Sequence, residues 1–256
     1  MTRTPPLHHA KVQAMGQLPH HIAIVMDGNG RWASNRFLPR IAGHHQGVES
    51  LKRCVKACAA RKIAVLTVFA FSSENWNRPQ DEVSGLMDLL AMAIGREVPQ
   101  LKKDGVRLYF VGDRHSLSDK VKSGLAHAEA ETAANTGLVL NVCFNYGGRW
   151  DVAQSAQQVA ALGLTATEEN LNQHMALAHV PDPDLLIRTG DELRISNFLL
   201  WQTAYTELYF TPKLWPEFDE AALDLALADY ALRQRRFGKT TQQLFAPEPA
   251  RAGAVA

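Results

Sequence analysis

The sequence predicts an α/β protein: a single domain with a central, mostly parallel six-stranded sheet flanked by helices. Three observations lead there. Short continuous apolar runs, such as Ala64 to Phe71 (AVLTVFAF), suit strands buried on both faces. Those runs alternate with longer segments whose apolar residues recur every three or four positions, the order that lays parallel strands side by side with helices across them. The first run, Ile22 to Met26, ends on Asp27 and a glycine-rich turn, Gly28-Asn29-Gly30-Arg31-Trp32. Open α/β sheets bind ligands at such strand ends.

Residues 1–17 carry prolines and polar residues without periodicity and are expected to form a loose arm. One domain then runs over 18–240, with a disordered tail over 241–256 whose composition is low in complexity (APEPARAGAVA). After the opening strand, Arg36 to Gly47 gathers Arg36, Arg40, His44 and His45. Gly47 to Arg61 reads as a helix, with Val48, Leu51, Val55 and Cys58 on one face. Ala64 to Phe71 is a strand, Ser72 to Asp81 a polar loop, and Glu82 to Val98 an apolar-rich helix. Val106 to Val111 is the third strand, Ser116 to Ala134 a helix, and Leu138 to Phe144 the fourth strand. Helical patterns occupy Asp151 to Ala161 and Thr167 to His179. Leu185 to Thr189 is the fifth strand, Ser196 to Ala204 a short helix, Tyr205 to Phe210 the sixth strand, and Asp219 to Phe237 the last helix. The strand-end rule gathers Asp27, Ser72 to Arg78, Asn145 to Arg149, Arg188 to Ser196 and Glu207 along one rim.

Composition narrows the function. The formal charge is +1 over 256 residues, which argues against a general nucleic-acid binder. Cys54, Cys58 and Cys143 make neither a disulfide framework nor a C-x-x-C site. No apolar run approaches the length of a membrane span, and the first residues lack a signal peptide's apolar core, so the chain is expected in the cytoplasm.

The turn after the first strand is a phosphate-site design. Glycines admit a ligand close to the backbone, and the first N–H groups of the helix that follows point at it. An acid beside a phosphate needs a cation between them, so Asp27 suggests a divalent metal, most simply Mg²⁺. An EF-hand loop fails here, because Trp32 stands where glycine is needed and Leu38 where the bidentate glutamate should be. An aspartyl-phosphate phosphatase would need an aspartate at Asn29. A dinucleotide fingerprint, G-x-G-x-x-A, is satisfied by Gly28 to Ala33, but the acid about twenty residues on, Glu49, lies in a helical pattern. A second stretch, Arg188 to Leu200 (RTGDELRISNFLL), sets two arginines and a serine after a buried strand and suits a second diphosphate. Asp184 and Asp191 are assigned to structure.

Five blocks together resemble the cis-prenyltransferases: MDGNGRW (26–32), Arg40 with His44 and Gly47, FSSENWNRP (71–79), NYGGRWD (145–151) and RTGDELRISNFLLWQ (188–202). The bacterial undecaprenyl diphosphate synthases are most similar, over Leu18 to Gly238. The resemblance implies repeated cis condensation of isopentenyl diphosphate onto farnesyl diphosphate, with Mg²⁺, in a homodimer. It implies a peripheral membrane contact where the lipid product departs. Asp27 would be catalytic and bind the metal, with Glu207 a second metal contact. Gly28, Asn29, Gly30, Arg31, Trp32, Arg40 and His44 would hold the allylic diphosphate, and Arg188, Arg194, Ile195 and Ser196 the homoallylic one. Ser72, Ser73, Glu74, Trp76 and Arg78 would close over both substrates. Asn75 lies where the family is assigned a proton acceptor; an amide is a feeble base, so orientation suits it better. Leu138 corresponds to a position near the floor of a product tunnel walled by the 64–71 strand and the 82–98 helix. Arg236 and Gly238 match an R-x-G ending that completes the partner subunit's site. Asp191 departs from the family's usual glycine, and Leu193 from a common polar residue. The rival readings are a non-catalytic partner subunit, against which Asp27, Arg31, Arg188 and Arg194 count, and a nicotinamide-dependent oxidoreductase.

Overall fold

The structure is a computed structural model that describes residues 18–233. Six strands, β1 (His21–Val25), β2 (Val65–Ser72), β3 (Arg107–Val111), β4 (Val139–Tyr146), β5 (Leu185–Arg188) and β6 (Glu207–Phe210), form one sheet in the order β3-β4-β2-β1-β5-β6. Every pairing is parallel. Helices α1 (Asn29–Ser34) and α2 (Arg40–Ala60) connect β1 to β2, α3 (Gln80–Lys103) connects β2 to β3, and α4 (Asp119–Thr132) connects β3 to β4. Helices α5 (Gly148–Ala161) and α6 (Glu168–His174) cross from β4 to β5, and α7 (Glu220–Ala231) follows β6. The chain starts in mid-sheet, builds outward through β2, then returns to the other side of β1 with β5. That reversal opens a crevice at the carboxyl end of β1.

Strand alternation explains the burial on both sides. Ile22, Ile24, Leu66, Val68, Leu185 and Ile187 face a large core with α2, α3, α4 and α7. Ala23, Val25 and Leu186 face a smaller one with Phe198 and Leu199. Cys54, Cys58 and Cys143 are all buried. A hydrogen bond with Cys58, then burial, push the Cys54 thiol well above its usual range; burial does the same for Cys143.

Several sequence expectations are corrected. The helix expected from Gly47 begins at Arg40, straight after Pro39, so Arg40 and His44 sit one turn apart on one face. The polar loop from Ser72 holds a 3₁₀ turn, Ser73–Asn77, and α3 runs from Gln80 to Lys103 through Pro99. The helix expected over Ser196 to Ala204 does not form. Ser196, Asn197 and Leu199 have φ of 50°, 60° and 45°, a left-handed backbone that a right-handed helix excludes. The sixth strand starts at Glu207 rather than Tyr205, and α6 stops at His174 because Met175 is extended. The arm over 1–17, the tail over 241–256 and the C-terminal part of the expected last helix lie outside the described residues.

A chain of polar groups crosses the sheet. His179 at the surface bonds Asn141 Oδ1 through Nε2 (2.9 Å), and Asn141 Nδ2 donates to Thr67 Oγ1 (3.0 Å). Thr67 and His21 Nε2 are 2.7 Å apart, and His21 Nδ1 is 2.6 Å from the Pro181 carbonyl. The carbonyl accepts from Nδ1–H, so the Thr67 hydroxyl donates to Nε2, and the network holds the imidazole neutral. Burial pushes the His21 pKa down to about 4. The folded chain thus binds that proton less readily than the unfolded chain, whose histidine titrates near 6.5. Stability from this group is full above about pH 6.5, is lost as pH falls, and levels off below about pH 4. Urea denaturation should show a loss of about 3 kcal/mol from His21 between pH 7 and pH 4. His21→Gln should flatten that slope; an unchanged slope would place the acid sensitivity elsewhere.

Candidate active site

The site begins where β1 stops. Asp27 is two residues past Val25, and its carbonyl accepts from the Trp215 N–H (2.9 Å) and the Thr189 hydroxyl (2.7 Å). Gly28 then takes φ 106°, a conformation that glycine adopts freely, and Leu214 packs on it so closely that a Cβ there would lie 2.8 Å from Leu214 Cδ2. Helix α1 is only six residues long, so its contribution is the cluster of N–H groups left without helical partners in its first turn. Helix α2 presses on that turn from the side. A Cβ on Gly43 would lie 1.9 Å from the Asn29 carbonyl oxygen, and one on Gly47 would lie 2.4 Å from Asn29 Oδ1.

Asp27 sits at a seam between two cationic groups. Its Oδ1 meets Arg31 Nη2 at 3.3 Å and its Oδ2 meets Arg188 Nη2 at 2.9 Å. Arg188 ends β5, is 3% exposed, and also donates through Nη1 to Ser196 Oγ (2.7 Å) and to the Arg194 carbonyl. Arg188 Nε is buried with no partner, as is Asn29 Oδ1. Arg194 is exposed and paired with Glu192. The two predicted diphosphate groups, Arg31 with the α1 turn and Arg188 with Arg194 and Ser196, therefore meet at one carboxylate.

Arg40, His44 and Arg78 form a second cluster around Glu82 in the first turn of α3. Arg40 Nε lies 3.3 Å and Arg78 Nη1 2.9 Å from Glu82, and His44 Nε2 lies 3.9 Å away. Burial, then the Arg78 charge, push the His44 pKa down to about 4, although Glu82 opposes the shift. His44 is a neutral imidazole at neutral pH.

The segment from Ser72 to Arg78 folds over the edge as a 3₁₀ turn. Ser72 N–H donates to Asn75 Oδ1 (3.0 Å), and the Asn75 N–H returns a bond to the Ser72 hydroxyl. Asn75 thus shapes the turn. Trp76 Nε1 donates to Asn145 Oδ1 (2.7 Å), and Asn145 is itself anchored on the Asp113 carbonyl (2.7 Å) and Ser116 Oγ (2.9 Å). Asn197 Nδ2 donates to Glu74 Oε1 (2.6 Å), while Asn197 Oδ1 accepts from the Arg149 N–H (2.9 Å). Partial burial works against the Glu74 charge, but bonds from its own N–H, Asn197, Ser72 and Ser73 hold the carboxyl below its usual range. A Cβ on Gly147 would meet Ser73 Oγ at 2.6 Å, so the lid rests directly on the backbone that starts α5.

An apolar cavity of about 200 Å³ leads inward from Met26, Asn29 and His44, between α2 and α3, toward Leu101, Leu108 and Leu140. Leu86 to Leu101 of α3 line it, a rise of about 22 Å. Leu138 does not line the cavity. It is buried two residues before Leu140, just ahead of β4, in the same core cluster.

Other predicted residues are not brought together. Glu207 pairs in register with Leu185 at the amino end of the sheet, whereas Arg188 pairs with Phe210. Three strand residues, about 10 Å, separate Glu207 from the rim before Asp27 is reached. Its carboxylate is bound to Arg233 (2.9 Å), so it is no partner of Asp27 within this chain. Trp32 is half-buried with the Arg36 guanidinium 4.4 Å over its ring, and Ile195 packs its side chain into the smaller core. Asp184 holds the His20 and His21 N–H groups, the structural role expected for it. Asp191 has φ 62°, which accounts for a glycine preference there and which aspartate tolerates. Arg236 and Gly238 lie outside the described residues. Glu82, Asn197 and Trp215 were not singled out from sequence, and Asn145 was placed on the rim without a role of its own; both asparagines take a positive φ, which Asn tolerates better than most residues.

Asp27 fits Mg²⁺ in one particular way. Among the described residues no three His, Cys, Asp or Glu side chains gather as a metal cluster. Mg²⁺ is commonly held by one or two carboxylates together with substrate phosphates and water, and a partly exposed Asp27 between two arginines that could hold such phosphates fits that need.

The comparisons agree with one another. The family model for undecaprenyl diphosphate synthases matches residues 25–238. An isoprenyl transferase of Neisseria gonorrhoeae is 54% identical over 228 residues, 89% of this chain and 92% of that protein. A ditrans,polycis-undecaprenyl-diphosphate synthase of Pseudomonas aeruginosa, specific for (2E,6E)-farnesyl diphosphate, is 50% identical over 234 residues, 89% of this chain and 93% of that protein. Lavandulyl diphosphate synthase from Lavandula x intermedia, solved with dimethylallyl diphosphate, superposes with a TM-score of 0.83 at 36% identity over 87% of this chain and 99% of that one.

The approach of α2 makes a sharp test. Alanine is favoured over glycine in a helix by about 1 kcal/mol, and Gly95 of α3 has nothing within 4 Å of a built Cβ. Gly95→Ala should therefore raise the melting temperature. Gly43→Ala must displace backbone and should lower stability by about 1–3 kcal/mol with loss of activity. Thermal melts of both variants check the pair, and equal shifts would refute the close contact.

Proposed function

The chain belongs to the undecaprenyl diphosphate synthase family of cis-prenyltransferases, and on that premise we propose that it adds isopentenyl diphosphate units to farnesyl diphosphate. The product is a long-chain cis-polyprenyl diphosphate, undecaprenyl diphosphate, the precursor of a lipid carrier for cell-wall polysaccharide synthesis. The observation that carries this reading is Asp27 at the seam of two cationic groups, with an apolar cavity leading away beside them.

In each cycle the allylic C–O bond breaks, a C–C bond forms to the isopentenyl unit, and a proton leaves to generate the new double bond. Charge accumulates on the departing diphosphate. The α1 N–H groups, Arg31 and Arg40 are fixed beforehand to receive it, the arrangement that lowers such barriers most. Arg188, Arg194 and Ser196 hold the other diphosphate, with Arg188 set by Asp27. Mg²⁺, held by Asp27 and the phosphates, would supply further neutralisation of the leaving group. The proton acceptor is not Asn75, whose oxygen is committed to the lid turn; released diphosphate or neutral His44 is the better base, with Asn75 orienting. Ser73, Glu74 and Trp76 shut the edge against water.

The reading includes a homodimer in which Arg236 and Gly238 reach the partner's site. It also includes a cytoplasmic protein touching the inner face of the membrane to deliver product. No helix among the described residues is long and apolar enough to cross a membrane. A shorter product is the rival reading, since lavandulyl diphosphate synthase shares the fold. The length of the cavity wall along α3 favours the long one.

Purified protein with farnesyl diphosphate, labelled isopentenyl diphosphate and Mg²⁺ should give long polyprenyl products, and Asp27→Ala should lower turnover at least about a hundredfold. No product from folded wild-type protein would instead indicate a non-catalytic partner subunit. Leu138→Ala should open space behind Leu140 and lengthen the products. An unchanged length distribution on reverse-phase separation would set the floor at Leu101, Leu108 and Leu140.

A further inference from the structure

Glu82 is the one acid in the cluster formed with Arg40, His44 and Arg78, and its side chain is only 14% exposed. Its two arginines come from different parts of the site. Arg78 ends the lid turn, whereas Arg40 begins α2, and its guanidinium stands against the cradle, 2.9 Å from a Cβ built on Gly30. Beside them His44 Nε2 is buried without a hydrogen-bond partner. One carboxylate therefore ties the lid to the diphosphate cradle, and it does so with cations that a bound diphosphate would also use.

We propose that Glu82 is a positioning residue that pairs Arg40 with Arg78 while the allylic site is empty and competes with diphosphate for both when the site is filled. This rests on the prenyltransferase reading above and deepens it. Two guanidiniums left without an acid would repel each other, so Glu82 keeps them in place for the next substrate. The same carboxylate is a like charge beside the bound diphosphate, and it loosens the grip on that group. A chain-elongating enzyme releases one inorganic diphosphate per cycle and must clear the site before the lengthened chain takes it again. Glu82 thereby trades ground-state affinity for faster release. Uniform binding of substrate and leaving group would only slow such a cycle.

The test is Glu82→Gln, which keeps shape and removes charge, with Glu82→Asp as the charge-retaining variant. Inhibition by inorganic diphosphate should tighten roughly tenfold in the glutamine variant. KM for farnesyl diphosphate should fall and steady-state kcat should fall with it. Glu82→Asp should return inhibition toward the wild-type value. A merely structural Glu82 would give weaker or unchanged diphosphate inhibition in the glutamine variant together with a lower melting temperature, and that result would overturn the proposal. Titration calorimetry of inorganic diphosphate into wild-type and variant protein reads the same affinity change without turnover. An inactive wild type would thus sink the enzymatic reading and leave Glu82 separately judged.

Discussion

The direct contact between α2 and the turn after β1 is the constraint on which the rest of the site depends. Glycines at 43 and 47 let the helix backbone touch Asn29, and nothing larger fits without moving one of the two segments. The same helix carries Arg40 and His44 on its first turns and walls the cavity with Val48, Leu51 and Val55 further along. A displacement of α2 would therefore change the glycine turn, the cationic cluster and the apolar cavity together. The turn is held from behind as well, through Trp215 and Thr189 on the Asp27 carbonyl. Rigidity here comes from interlocking backbone, which catalysis by fixed dipoles needs.

Against that frame, the charges are arranged as alternating pairs. Arg31, Asp27 and Arg188 form one run, Arg40, Glu82 and Arg78 another, and Arg194 with Glu192 a third. Burying Arg188 without Asp27 would leave an uncompensated charge in a poorly solvated place. The acids therefore do two things. They make a concentration of guanidiniums compatible with a folded chain, and they set the terms on which an anionic ligand can replace them.

Fold class, strand order within the chain and most of the rim were legible in the sequence, because buried parallel strands are continuous apolar runs and the turn after β1 has a distinctive composition. Arg31 and Arg188 pair with Asp27, and Ser196 is bonded to Arg188. Glu207 was not placed correctly, since a strand-end acid looks the same in sequence whether it sits at the amino or the carboxyl end; only the register with Leu185 decides. The helix start at Arg40 was missed because Gly43 and Gly47 look like helix breakers, although close packing is what they serve. The expected helix from Ser196 failed for the opposite reason: Ser and Leu give no warning of a left-handed backbone, and a single asparagine is a weak one. The blocks that contain Asn145 and Asn197 do not disclose their roles, which arise from segments far apart in the chain meeting at the lid.

The buried cysteines have a practical consequence. A thiol reacts as its thiolate and from the surface, and Cys54, Cys58 and Cys143 are all buried, with the Cys54 and Cys143 thiols held protonated. The folded chain is in effect silent toward maleimides and mild oxidants. A single cysteine introduced at exposed Asn77, at the end of the lid turn, would carry a fluorophore or spin label against almost no background. The surroundings of the 72–78 turn could then be followed with and without substrate in the otherwise native protein, with no need to strip its own thiols first.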